Sequence, residues 1–252
     1  MNARFESSQV DLVVENSCAR ISLNRPQVGN ALSPSMVDDL DRAFDSAVKG
    51  SPRLIVFAGV GKHLCTGFDL SDIDSCSDGD LLLRFVRIEH LLQKIYHSPF
   101  VTAAIGSGRV YGAGADLFAA CDRRVGLSNA SFAFPGSGFG LILGTRRLAA
   151  RIGNDAARRI LLEGGELSVE KAATVGLVTD RCDSADLPEL LARISVAAAR
   201  LEATTVKALH ARTISRDDDA DLAALVNSAS DPGLKERIIA YRQKAISARA
   251  SK

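Results

Sequence analysis

Gly106, Gly108, Gly112 and Gly114 crowd one short stretch, behind an apolar, β-like run at 100–105 and ahead of an alanine-rich, helix-like run at 115–121. Glycine permits tight turns and close backbone approach to a ligand. A strand that enters a helix through such a turn presents unbonded backbone N–H groups at the positive end of the helix dipole. That arrangement suits a phosphate or an oxyanion that develops during a reaction. The dinucleotide fingerprint GxGxxG fits only loosely, because Tyr111 holds the place of the last glycine and Gly112 comes one residue late.

Composition limits what such a turn can serve. With 252 residues, 46% of them hydrophobic, the chain can bury a core as one domain or as a domain with an appendage. Its 31 basic and 30 acidic residues nearly cancel, so no field favours nucleic acid or an anionic membrane. No apolar run approaches bilayer length, and the polar first residues lack a signal-peptide core, which predicts a soluble cytoplasmic protein without membrane insertion. The five cysteines at 18, 65, 76, 121 and 182 are scattered, as are the four histidines, and neither CxxC nor HExxH occurs. Reduced core thiols and no metal are expected.

Periodicity predicts a hairpin from strands at 10–14 and 19–24, then a helix begun by Ser33 and Pro34 with apolar positions at 36, 37, 40, 44 and 48. A buried strand at 54–59 leads to a second glycine-punctuated loop at 61–70 and a polar, mobile segment at 71–80. An amphipathic helix at 81–97 follows, ended by Pro99. Beyond the centre come strands at 123–127 and 131–134, a third glycine-rich loop at 135–140, helices at 145–152, 155–162 and 168–174, and a strand at 177–181. From 186 onward the pattern is helical, with breaks near Thr213 and at 231–233. The fold class is α/β, built of repeated strand-strand-helix units with a helical tail. That tail is too extended to fold back wholly on itself, so packing in an oligomer is expected. Arginines 146, 147, 151, 158 and 159 are read as facing a subunit interface or solvent.

Three segments carry a resemblance. Ile21-Ser-Leu-Asn-Arg-Pro-Gln-Val-Gly-Asn-Ala-Leu-Ser33 is similar to the strand and coenzyme A loop of the crotonase superfamily, the enoyl-CoA hydratases and isomerases. Val56-Phe-Ala-Gly to Cys65-Thr-Gly-Phe-Asp-Leu70 resembles its second loop. Gly108 to Asp122, followed by Phe132-Ala-Phe-Pro135, resembles its third, with a weaker likeness at 240–244. The resemblance implies a crotonase-like spiral of ββα repeats over 1–185 holding the acyl-CoA site, a helical oligomerisation region over 186–252, and a homo-oligomer, either a trimer or a dimer of trimers. It implies an acyl-CoA or enoyl-CoA thioester as ligand and no separate cofactor.

It also implies roles. The thioester oxygen would lie between the backbone N–H groups of Phe68 and Ala113, each pre-aimed donor stabilising an enolate by ~3 kcal/mol. Gly67, Gly112 and Gly136 would line the substrate. Arg25, Gln27, Tyr241 and Lys244 would touch coenzyme A, the last two from a neighbouring subunit. Where family hydratases place two glutamates, this chain has Asp116 and Gly136. A carboxylate one methylene shorter reaches ~1.5 Å less far, misplacement of about 1 Å costs ~100-fold in rate, and glycine transfers no proton. The 140–145 turn is about three residues shorter than in relatives, so the far wall of the pocket should differ.

Other readings stay open. Asp116 can complement the helix dipole, Gly112 to Gly114 can serve close packing, Phe68 and Phe139 can be core aromatics, and Asp69 can close a turn. His63 and Ser137 lie near the presumed site without a motif behind them, and Lys244 can be a solvated charge. The residues therefore leave two functions: a hydratase/isomerase-type enzyme with Asp116 as its acid-base group, or an inactive acyl-CoA binding and delivery protein of lipid metabolism.

Overall fold

The computed structural model describes residues 4–7, 9–214 and 217–250. Its main sheet has seven strands in the order β1 (Arg4–Glu6), β2 (Val10–Glu15), β3 (Cys18–Leu23), β4 (Leu54–Gly59), β5 (Val101–Gly106), β7 (Arg123–Leu127) and β10 (Asp180–Cys182). The first three are antiparallel neighbours and the rest pair in parallel. Between β5 and β7 the chain makes β6 (Arg109–Tyr111) and helix α3 (Ala113–Ala120). A second sheet joins β6, β8 (Ser131–Ala133) and β9 (Leu167–Ser168).

β4 reads as an unbroken apolar run because both of its faces are covered. Ile55 and Phe57 enter one cluster with α1 (Pro34–Lys49) and α2 (Asp78–Tyr96), while Leu54, Val56 and Ala58 meet Leu190, Ile194 and Ala198 of α7 (Leu187–Ala199). β3 is covered on one face only. Ala19, Ile21 and Leu23 are buried between residues that retain exposure, which gives the alternation seen in the sequence. α1 buries Met36, Val37, Leu40, Ala43, Phe44 and Ala47 at helical spacing, and the Ser33 hydroxyl accepts from the Met36 N–H as its cap.

The fold class is as expected, and the structure corrects several elements. The segment at 71–80 is not a bare polar loop. Ile73 and Cys76 are buried, Arg84 pairs with Asp72, and Ser77 with Asp80 forms a capping box that starts α2 three residues early. Asp78 then accepts from the N–H groups of Gly233, Leu234 and Lys235, fixing the start of α10 (Leu234–Ala250). β6 was hidden because three residues between glycines carry too little pattern. Residues 177–178 are apolar but not strand. Their N–H groups both donate to Ala172 O, closing the end of α6 (Val169–Thr174), and β10 begins only at Asp180. After α7 the chain continues in α8 (Ala203–Thr213), α9 (Asp218–Ser230) and α10.

Asn30 ties together loops that lead to the crevice between the sheets. It is fully buried at φ 56°, donates to Val60 O and His63 O, and accepts from the Arg25 N–H. The left-handed conformation favours asparagine among residues with side chains. Asn30→Ala removes three part-buried hydrogen bonds and should lower unfolding free energy by about 1–3 kcal/mol, read from urea denaturation midpoints.

Candidate functional site

Backbone hydrogen bonds zip three loops into one platform. Leu64 N–H donates to Ser107 O, Tyr111 N–H to Cys65 O, and Thr66 N–H to Gly29 O. Leu32 N–H donates to Gly67 O and Asp69 N–H returns to Leu32 O. Phe68, between them in this parallel bridge, therefore turns its own N–H away from Leu32. On that side lies the start of α3. A Cβ built on Gly67 would stand 3.6 Å from Ala113 N, and one built on Gly112 would stand 3.8 Å from Gly67 Cα. Neither Phe68 N–H nor Ala113 N–H finds an acceptor among the described residues. Ala113 is the first residue of α3, where no intrahelical acceptor exists.

Glycine is required at particular points of this platform. Gly67 sits at φ 99° and Gly112 at φ 52°. A methyl on Gly114 would come 2.4 Å from Cys65 O, so residue 114 must lack a side chain for the loops to touch. Ala113 carries its methyl into a buried position.

Asp116 lies one turn into α3 and is 5% exposed. Its N–H donates to Gly112 O, but its carboxylate accepts no hydrogen bond from the described residues. The carboxylate rests on Gly144, before α4 (Thr145–Ile152), so closely that a Cβ there would fall 2.2 Å from Oδ1. Burial pushes the Asp116 pKa up to about 8. Arg147 opposes the rise and Glu89 adds to it.

Those two residues were not read from the sequence as part of the site. Glu89 of α2 and Arg147 of α4 are 1% and 2% exposed and form a bidentate pair at 2.8 and 2.5 Å. A charged residue amid the apolar positions Ile88, Leu91 and Leu92 was the available signal. The expectation that the arginines face solvent or an interface is thus corrected for Arg147 by its burial against Glu89, and for Arg151, whose guanidinium holds the carbonyls of Ala119, Ala120 and Cys121.

The remaining candidates are dispersed. Arg25 donates to Ala31 O and to Asp69, both at 2.8 Å. Burial disfavours the Asp69 charge, but the Ser71 N–H and the Arg25 guanidinium outweigh it and hold the pKa below its ordinary value. Gln27 is exposed, two residues after Arg25. Gly136 is the second residue of the turn Pro135–Phe139, where a Cβ would meet Leu141 O at 3.3 Å. Tyr241 packs on Gly138 and Phe139 of its own chain, with ring centroids 5.6 Å apart, and Lys244 is exposed. Phe68 stacks on Phe85 at 4.4 Å under a roof from α2, α9 and α10. His63 accepts from the Arg109 N–H and lines a separate cleft of about 270 Å³ with Lys62, Tyr111 and Glu166, while Ser137 donates to Leu161 O. Among the described residues there is no metal-binding cluster, and no helix is long and apolar enough to cross a membrane.

The family model for enoyl-CoA hydratase/isomerase matches residues 14–240. The chain belongs to this family. It is 34% identical over 203 residues to a probable enoyl-CoA hydratase of Mycobacterium tuberculosis, covering 79% of each chain. A crystal structure from Bordetella parapertussis described as "enoyl-CoA hydratase/isomerase" is 42% identical, with a TM-score of 0.90 over 93% of this chain and 98% of that one. An enoyl-CoA hydratase from Bacillus halodurans, 24% identical, shares the fold at a TM-score of 0.82 over 92% of this chain and 100% of that one. The crotonase fold expected from the three sequence segments is therefore the fold this chain has.

Two outcomes are expected from the platform. Gly114→Ala should lose about 2–3 kcal/mol in denaturant unfolding, since backbone rather than a flexible side chain blocks the methyl. For Asp116, both states hold the proton below the ordinary pKa of 3.8. As pH rises toward about 8 the unfolded state ionises first, so stability falls, and the loss is complete above the folded value. Asp116→Asn should accordingly raise the Tm relative to the parent at about pH 8 and leave it matched at about pH 4, by thermal scans across that range.

Proposed function

We propose that the chain binds an enoyl-CoA thioester with its carbonyl oxygen between the N–H groups of Phe68 and Ala113, and that Asp116 shifts the double bond. The observation that carries this reading is one buried carboxyl beside two acceptor-free N–H groups, with glycine at the second acid position. Ionised Asp116 takes a proton from C2 of a 3-enoyl thioester. The C–H electron pair moves through the dienolate onto the thioester oxygen, where the two N–H groups stabilise it. The same carboxyl returns the proton at C4, the electrons flow back, and a 2-enoyl thioester leaves with Asp116 ionised again. Hydration asks for a second group to handle water, and Gly136 offers none. The Arg25–Asp69 pair acts in this scheme by fixing the loop that carries Phe68.

A second reading, an acyl-CoA carrier without turnover, is favoured by the near-complete enclosure of Asp116. Isomerisation of a 3-enoyl-CoA followed by absorbance, with acyl-CoA binding by calorimetry, separates the two. The isomerase reading expects kcat/KM to rise with pH and level off above about 8, because the ionised form starts the reaction. It also expects Asp116→Ala to lose ~10²–10⁴-fold in rate while binding persists. Binding without turnover, unaffected by the substitution, would establish the carrier, and no binding would sink both.

A further inference from the structure

Beneath Asp116 lies a charge arrangement that the proposed chemistry does not yet use. Two guanidinium nitrogens of Arg147 are spent on Glu89, and Gln93 Nε2 donates to the same Glu89 carboxylate at 2.9 Å. Arg147 Nε is buried and has no acceptor. Asp116, the one ionisable side chain of α3, is buried and accepts no hydrogen bond from the described residues; its carboxylate lies against Gly144, three residues before Arg147 at the start of α4, and α3 packs on α2, which carries Glu89. The other charged groups nearby lie on α4 and α9, and among them Asp221 acts electrostatically on both Arg147 and Glu89. Arg146 pairs with Asp217 and Asp221, and Asp221 retains 20% exposure of its side chain.

A buried ion pair is poor evidence of stabilisation, since replacing both members by apolar side chains is often neutral or favourable. Its position therefore asks for another account. We propose that Glu89 and Arg147 form a positioning pair that governs the proton on Asp116. Glu89 cancels most of the arginine's charge, so Asp116 keeps its proton at rest, while the unspent Nε and the residual field of Arg147 keep the ionised form within reach. This rests on the reading of Asp116 as the acid-base group, and it names what tunes that group. Without Glu89 the full charge of Arg147 would act on Asp116 and favour ionisation. Without both, Asp116 would face an apolar wall that disfavours it. The raised pKa of Asp116, with burial as its main cause and the opposed effects of Arg147 and Glu89, agrees in sign.

The test is a titration of the carboxyl ¹³C signals of aspartate-labelled protein, with Asp116 assigned by its loss in Asp116→Asn. Glu89→Gln should move the Asp116 midpoint down by about one pH unit or more, and Glu89→Gln/Arg147→Met, which removes only the residual field, should move it up by a smaller amount, about half a unit. A purely structural pair would leave the midpoint within about 0.3 unit of the parent in a folded variant, and that result overturns the proposal. Glu89→Gln leaves a buried arginine unpaired; where that variant does not fold, the double variant, which removes both charges together, decides alone. Thioester turnover is measured on the same samples. Midpoints that move without any turnover or binding would retire the isomerase reading and keep the positioning pair. Turnover with unmoved midpoints would do the reverse.

Discussion

The contact between Gly114 and the Cys65 carbonyl fixes how near two loops can come, and the loop platform closes only at that separation. The loops leave the ends of β4 and β5, parallel neighbours in the main sheet, so they emerge side by side. In open α/β sheets the crevice beyond the strand ends is where ligands settle. Here the crevice is narrowed until backbone meets backbone. The hydrogen bonds from Leu64, Tyr111, Leu32 and Asp69 then consume the polar groups that face inward, and the N–H groups of Phe68 and Ala113 are left over. A side chain at 114 would part the loops.

Charge is disposed around α3 in the same sense. At its amino end the dipole is open toward the crevice. At its carboxyl end the last carbonyls are occupied by two guanidinium groups, Arg124 on Cys121 O and Arg151 on Ala119, Ala120 and Cys121. Burial, with the neighbouring Arg151, pushes the pKa of Arg124 down to about 10, so this end of the helix is held by cations at some electrostatic cost. In its first turn Asp116 lies against Gly144, and no cap is made with it.

Local pattern carried much of this. The one-sided burial of β3, the two-sided burial of β4 and the capped start of α1 are each a direct reading of which residues alternate, run together or repeat every three to four positions. The glycines at 112 and 114 likewise mark a special turn, Gly112 by its positive φ and Gly114 by the approach of backbone. Pattern failed where an element is too short to have one, as at β6, β9 and the 73–75 turn. It failed again where apolar residues close a helix end, as at Leu177 and Val178.

The sequence by itself determined the longer strands and helices, since these follow from spacing, and through its resemblance to a known family it implied the fold and the backbone positions Phe68 and Ala113. Only the tertiary structure decided what surrounds Asp116. Glu89, Asp116 and Arg147 lie on three different helices, and no local rule relates residues that meet only when those helices pack. The enclosure that raises the pKa of Asp116, and the ion pair that acts on it, are properties of that packing.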